Sequence, residues 1–174
     1  MIKEEFSREE FVIYVAKAMM SSARTAPKAR GIDNLAIATI SGEEIKQLSD
    51  KTKQLYEENN MEFFLRDAEN ILSANAIVLI GTKIEVGGLD CGYCGYASCA
   101  EKLENEKCPC VFNSHDLGIA IGSAVSRASE FKVDNRVMFS VGSAAKLLGF
   151  YGEDVAFGFA IPLSVSGKNP FFDR

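Results

Sequence analysis

Five cysteines stand close together in this chain, Cys91, Cys94, Cys99, Cys108 and Cys110, and the rest of the sequence contains none. Thiolates gathered in this way converge on a soft metal or an iron–sulfur cluster. Sulfur donates charge well to such centres, and a Cys-x2-Cys turn brings two thiolates to the same centre from one bend of backbone. A tetrahedral zinc site and an ordinary cluster each take four thiolates. Structural zinc sites typically pair two Cys-x2–4-Cys knuckles, whereas here the second half is Cys108-Pro-Cys110 and Cys99 stands alone. The unequal spacing favours iron–sulfur, with a zinc-stabilised interaction domain as the alternative. Cys91, Cys94 and Cys99 belong to either arrangement, and the fourth ligand is Cys108 or Cys110. Gly92 and Gly95 leave room for backbone amides to approach the sulfurs and stabilise their charge. His115, the only histidine, lies five residues beyond Cys110. It is a candidate ligand, or a polar residue near a helix start.

A second group of residues has the chemistry to hold phosphate. Arg24, Lys28 and Arg30 share one loop of a chain whose net charge is −5, and Arg174 or Lys168 could join them from the tail. Guanidinium forks match phosphate oxygens in geometry and charge. The competing reading is a solvated surface loop. No Ser-His-Asp set, paired carboxylates or Walker-type glycine loop is present, which argues against hydrolysis and phosphoryl transfer.

At 174 residues, 47% hydrophobic and 25% charged, the chain has the composition of one ordinary globular domain with a sizeable core. It has no basic excess of the kind that tracks nucleic acid. No apolar run is long enough to span a bilayer, and the N-terminus lacks the order of a signal peptide. An odd number of cysteines without a leader points to a reducing compartment, and the cytoplasm is the expected location.

The elements that must position these residues are read from periodicity. Glu5 to Ser22 has helical spacing, and Pro27 and Gly31 make Ala23–Gly31 a loop. Leu35–Ile40 reads as a short strand. Ser41 and Glu44 suggest a capping box opening a helix to about Asn59. Glu62–Ala74 is predicted helical, and Ala76–Ile80 is a continuous apolar run of the kind found in central strands. Residues 87–112 are predicted to be an irregular cysteine-rich insertion in a domain spanning 1–174. A helix then runs from Asn113 to about Glu130, with Gly118, Gly122 and Ser126 on one face, where another backbone could approach closely. A strand at Arg136–Ser140, a helix at Ser143–Leu148, a strand at Asp154–Ile161 and a tail from Pro162 complete the chain. Phe171 and Phe172 imply that the tail docks, on the chain's own core or on a partner subunit. Alternating helices and strands predict a layered α/β or α+β domain.

The Cys-Gly-x-Cys-Gly-x3-Cys run resembles the four-iron motif of ferredoxin-like electron-transfer modules, whose last ligand often precedes proline, as Cys108 does. Taken with Ala23–Asn34, Asp116–Ala124, Asp134–Met138 and Ile161–Arg174, nearly the whole chain resembles an uncharacterised ferredoxin-domain protein family. That resemblance implies an iron–sulfur module. Its final cysteine precedes a small residue and Phe-Asn, here Cys110-Val-Phe-Asn113, which implies a [4Fe–4S] cluster on Cys91, Cys94, Cys99 and Cys110, with Cys108 as the alternative fourth ligand.

A weaker likeness is to the flavin-dependent nitroreductase fold. It rests on Ala26-Pro-Lys28 and Asn34, on Asp116-Leu-Gly-Ile-Ala120, and on the closing Ala160-Ile-Pro162 with a terminal Arg174. The likeness implies an α+β nitroreductase-like layered sheet and helices, and a homodimer with FMN at the interface held by Arg24, Lys28, Arg30, Asn34 and Arg174. The Arg-Arg-Ser-x-Arg opening of typical nitroreductases is absent. The combined expectation is a redox enzyme in which the cluster exchanges single electrons with FMN and with a partner protein. The alternative is a flavin-free electron carrier or structural metal-binding module.

Overall fold

A computed structural model describes residues 1–172. Its centre is a four-stranded, wholly antiparallel sheet in the order β1-β2-β4-β3, formed by β1 (Leu35–Ile40), β2 (Ala76–Thr82), β3 (Asp134–Asn135) and β4 (Phe157–Ser164). Helices cover both faces. On one side lie α1 (Glu4–Thr25) and α5 (Val111–Glu130); on the other lie α2 (Glu43–Asn59), α3 (Glu62–Ile71) and α6 (Phe139–Leu147). The architecture is α+β.

Every residue of β2 is buried, which accounts for its unbroken apolar sequence. Val78 and Ile80 join the core under α1 and α5, while Ile77 and Leu79 join the core under the other three helices. Side chains alternate across a strand, so a strand covered on both faces must be apolar throughout. The contact between α1 and α5 uses small residues, including Ala16, Ala120, Ala124 and Ala128. Ser123 adds a hydroxyl bond to the Ser22 carbonyl at 2.9 Å.

Several boundaries differ from the sequence reading, each for a local reason. Helix α1 continues to Thr25 because Pro27 restricts only the residue before it; Lys28 then folds back onto the exposed carbonyls at the helix end. The capping box at Ser41 is half formed: Glu44 accepts the Ser41 N–H at 3.5 Å, but Gly42 is the N-cap and supplies no side chain. The strand expected at Arg136–Ser140 is a correction. Only Asp134–Asn135 and a lone bridge from Met138 to Ala160 pair with the sheet, and Phe139 already opens α6. Ser140 is drawn into that helix by a buried 2.5 Å bond to Asp67. Gly142 lets α6 lie directly on β4, since a Cβ there would come within 2.3 Å of the Gly158 carbonyl oxygen.

Strand β4 lies three residues later than predicted and runs through Pro162. Ala160 exchanges both its backbone bonds with Met138. With a period of two, the Pro162 nitrogen faces that same side, in the gap between Met138 and β3, where no ladder bond is required. The tail docks on the chain's own core. Phe171 is fully buried there, Arg136 donates to its carbonyl at 2.7 Å, and the Arg136 guanidinium lies 4.7 Å from the centre of the Phe172 ring.

Candidate metal centre

After Thr82 the chain runs without helix or strand to Ser98, then forms one short helix, α4 (Cys99–Leu103), before α5 begins. The backbone turns tightly here. Gly92 and Gly95 sit at φ +71° and +88°, in the left-handed region where a side chain is strained. Cys91, Cys94, Cys99 and Cys110 line one narrow cavity, together with Tyr96, Lys102 and Phe112 among others; Cys108 does not line it. No disulfide forms among the five. Among the described residues, no three His, Cys, Asp or Glu side chains converge closely enough to hold a single metal ion.

Three anchors hold the segment. Asn113, buried in the first turn of α5, accepts the Glu85 N–H at 3.2 Å and the Cys110 N–H at 3.1 Å with one oxygen, Oδ1. One side chain thus pins both ends of the excursion. Cys110 is the N-cap of α5, at the positive end of the helix dipole. At the other side of the cavity, Cys99 donates its N–H to Asp90 Oδ1 at 2.6 Å, and the Asp90 N–H reaches Cys99 Sγ at 3.3 Å. The third anchor is Arg30, whose guanidinium donates to the Gly87 carbonyl at 2.8 Å.

Cys108 occupies different surroundings. Its thiol faces the Pro109 carbonyl at 3.7 Å. Desolvation and the neighbouring Cys108 sulfur push the Tyr96 phenol above its ordinary range. His115 is exposed, packs edge-on to Phe112 and does not line the cavity.

The residues expected to hold phosphate are brought into one neighbourhood but are engaged within the chain. Arg24 pairs with Asp33 at 2.7 Å and also donates to the Leu35 carbonyl. Lys28, almost wholly buried, donates to the carbonyls of Arg24 and Ala26 at 2.6 and 2.8 Å. Burial alone would raise the Asp33 carboxyl, but Arg24, the Leu35 N–H and Lys28 outweigh it and hold it below the usual carboxylate range. Arg30 serves the cysteine segment instead. Asn34 lines a small cavity beside that segment, in the company of the acidic Glu85 and Asp116, and Asp116 caps the Ala29 N–H with both oxygens at 3.1 and 3.2 Å. Arg174 lies outside the described residues, and Lys168 is exposed. Arg24, Lys28 and Arg30 are thus each engaged by a contact within the chain.

Two features were not legible beforehand. Lys102 is 2% exposed and is one of the large fully buried side chains among the described residues, although it sits in Glu101-Lys-Leu-Glu-Asn-Glu-Lys107, a run that reads as solvated charge. An apolar groove of about 730 Å³ is lined by Leu117, Gly118, Ile121, Val137, Phe139 and Phe159 among others. Gly118 and Gly122 face outward with nothing near them, so the small-residue face is not an intrachain contact. No described helix is long and apolar enough to cross a membrane.

Residues 106–174 match the family described as uncharacterized proteins containing a ferredoxin domain. A protein of Archaeoglobus fulgidus is 41% identical over 182 residues, covering 100% of this chain and 97% of its own length. The fold is similar to that of a nitroreductase with bound FMN from Desulfitobacterium hafniense, at a TM-score of 0.59 and 15% identity over 97% of this chain and 92% of that one. It is similar also to the nitroreductase CinD of Lactococcus lactis, solved with nicotinic acid, at a TM-score of 0.60 and 17% identity over 95% and 84% of the two chains. A BluB-like flavoprotein from Clostridium difficile gives a TM-score of 0.58 at 16% identity, over 90% and 81%. With a nitroreductase-like α+β fold carrying a cysteine-lined cavity, the chain belongs to the family of uncharacterized proteins containing a ferredoxin domain.

Proposed function

We propose that this is an iron–sulfur redox protein whose [4Fe–4S] cluster is held by Cys91, Cys94, Cys99 and Cys110, with residues 87–112 as the segment inserted for that purpose. The observation that carries the reading is the single cavity lined by these four cysteines and not by Cys108. The donor chemistry fits: four thiols, one of them already accepting a backbone N–H, the arrangement that stabilises charge on cluster sulfur. A bound cluster would supply one-electron transfer. The chain's own residues orient the thiols, through Asn113, Asp90 and Arg30, and shield one side with Phe112. The cavity is narrow, so the irregular 83–98 loop must widen to admit an inorganic core.

FMN is the second reading. The apolar groove is large enough for a small ligand, and similar folds have been solved with FMN. The engaged state of Arg24, Lys28 and Arg30 weighs against a phosphate grip, so a flavin-free electron carrier is the simpler form of the proposal. A homodimer closing on the outward Gly118–Gly122 face and the groove belongs to the same reading, as does exchange of electrons with a partner protein.

The test is an anaerobic visible spectrum with iron, sulfide, zinc and flavin assayed on one sample. Broad absorption near 400 nm that bleaches on reduction, with about four irons and four sulfides per chain, is the expected result for a four-thiolate cluster. One zinc per chain with a featureless spectrum overturns it. Stoichiometric FMN would move the flavin reading into first place.

A further inference from the structure

A lysine buried almost completely is rare unless a counter-charge meets it. Lys102 is 2% exposed and lines the same cavity as Cys91, Cys94, Cys99 and Cys110. Among the described residues its ammonium has no carboxylate or carbonyl partner, and the nitrogen at the end of the buried stem keeps access to solvent. The nearby acids are committed elsewhere: Asp90 Oδ1 accepts the Cys99 N–H, and Glu101 accepts the Ala97 N–H at 2.8 Å. Helix α4 therefore delivers a cation to the cysteines with no other described group to neutralise it. Its position is set by Ser98, which caps Glu101 at 3.1 Å, and by the Lys102 N–H bond to the Ser98 carbonyl.

We propose that Lys102 is the charge-compensating residue of this centre. The inference rests on the four-thiol iron–sulfur reading above. Four thiolates bring four negative charges into the cavity, an iron–sulfur core cancels only part of them, and each one-electron reduction adds another. A cation on the wall of that cavity acts on those charges partly through protein, where the interaction is stronger than across bulk water. It favours the reduced form because that form carries the extra charge. Lys102 thus raises the reduction potential of the centre without touching the reacting electron carrier, and it is a positioning and tuning residue, not a ligand.

The experiment compares the full-length wild-type, Lys102→Met and Lys102→Arg chains, each loaded anaerobically. Iron and sulfide are assayed, and the midpoint is determined by dithionite titration followed by visible absorption and EPR. Methionine keeps the length and apolar stem of the side chain; arginine keeps the charge. The expected result is a fully loaded Met variant whose ratio of reduced to oxidised protein, at the wild-type midpoint, falls at least tenfold, equivalent to 59 mV for a one-electron couple. The Arg variant should stay within about threefold of wild type. A Met variant that folds by circular dichroism but loses its cluster, beside an Arg variant that keeps it, also supports charge compensation. Equal midpoints in wild-type and Met chains overturn the inference, as does an Arg variant that shifts or loses its cluster as far as the Met variant. A wild-type chain without iron and sulfide overturns the reading of the site itself, a failure visible before any variant is compared.

Discussion

Asp90 and Cys99 exchange two hydrogen bonds across the cysteine segment: the Cys99 amide donates to the Asp90 carboxylate at 2.6 Å, and the Asp90 amide donates to the Cys99 sulfur at 3.3 Å. Asp90 holds this geometry at φ 45°, in the left-handed region that aspartate tolerates better than most residues. The pair fixes the position of Cys99 on the cavity wall. Asp90→Ala removes one bond and the residue suited to that backbone. It should release iron to a chelator roughly fivefold faster, the effect of about 1 kcal/mol, with Asp90→Asn close to wild type. Timed chelator loss followed at 400 nm checks this.

The cysteines should divide four against one. Serine at Cys91, Cys94, Cys99 or Cys110 should abolish the stable four-iron centre, while Cys108→Ser should keep iron and sulfide at wild-type stoichiometry. Iron and sulfide assays on the five variants decide it. Loss with Cys108→Ser and retention with Cys110→Ser would reverse the assignment.

Asn113→Ala leaves the Glu85 and Cys110 amides without their shared acceptor. The site is buried, so the cost should be about 2 kcal/mol, a drop in Tm of roughly 4–8 °C for a domain of this size. Differential scanning calorimetry of the metal-free chain measures it without reference to cofactor.

Asp33 links stability to pH. Its folded pKa is depressed by Arg24 and Lys28, so the contribution is present above the unfolded carboxylate value, about 3.9, and disappears as pH falls through the folded value. Asp33→Asn should melt below wild type at neutral pH, and the gap should close progressively below about pH 4. A gap unchanged between pH 7 and pH 3 would remove the ion pair from the account.

Light scattering tests the outward face of α5. The wild-type chain, 19.0 kDa, should run at twice its mass. A Cβ at Gly118 meets nothing within 4 Å in the single chain, so Gly118→Arg should fold normally and run as a monomer.

Local pattern carried much of this molecule. Leu35–Ile40 was readable as a strand because a short β-branched and apolar run has few other uses. The all-apolar Ala76–Ile80 announced a strand covered on both faces, and the spacing of five cysteines in an otherwise cysteine-free chain pointed to the segment that lines the narrow cavity. These signals are local: each depends on the side chains of neighbouring residues and their period. The tertiary structure decided what depends on distant partners. Which cysteines share a cavity follows from α5, whose Asn113 holds Cys110 at the helix start while Cys108 turns toward Tyr96. Arg24, Lys28 and Arg30 read alike as a basic loop, yet folding assigns one to Asp33, one to the carbonyls ending α1 and one to Gly87. Met138 looks like part of a strand but gives only one bridge, since Ser140 and Gly142 find partners in Asp67 and Gly158 that pull the chain into a helix. Lys102 is the clearest case. Nothing in a charged run distinguishes a solvated lysine from a buried one, because burial is set by what the rest of the chain folds around it.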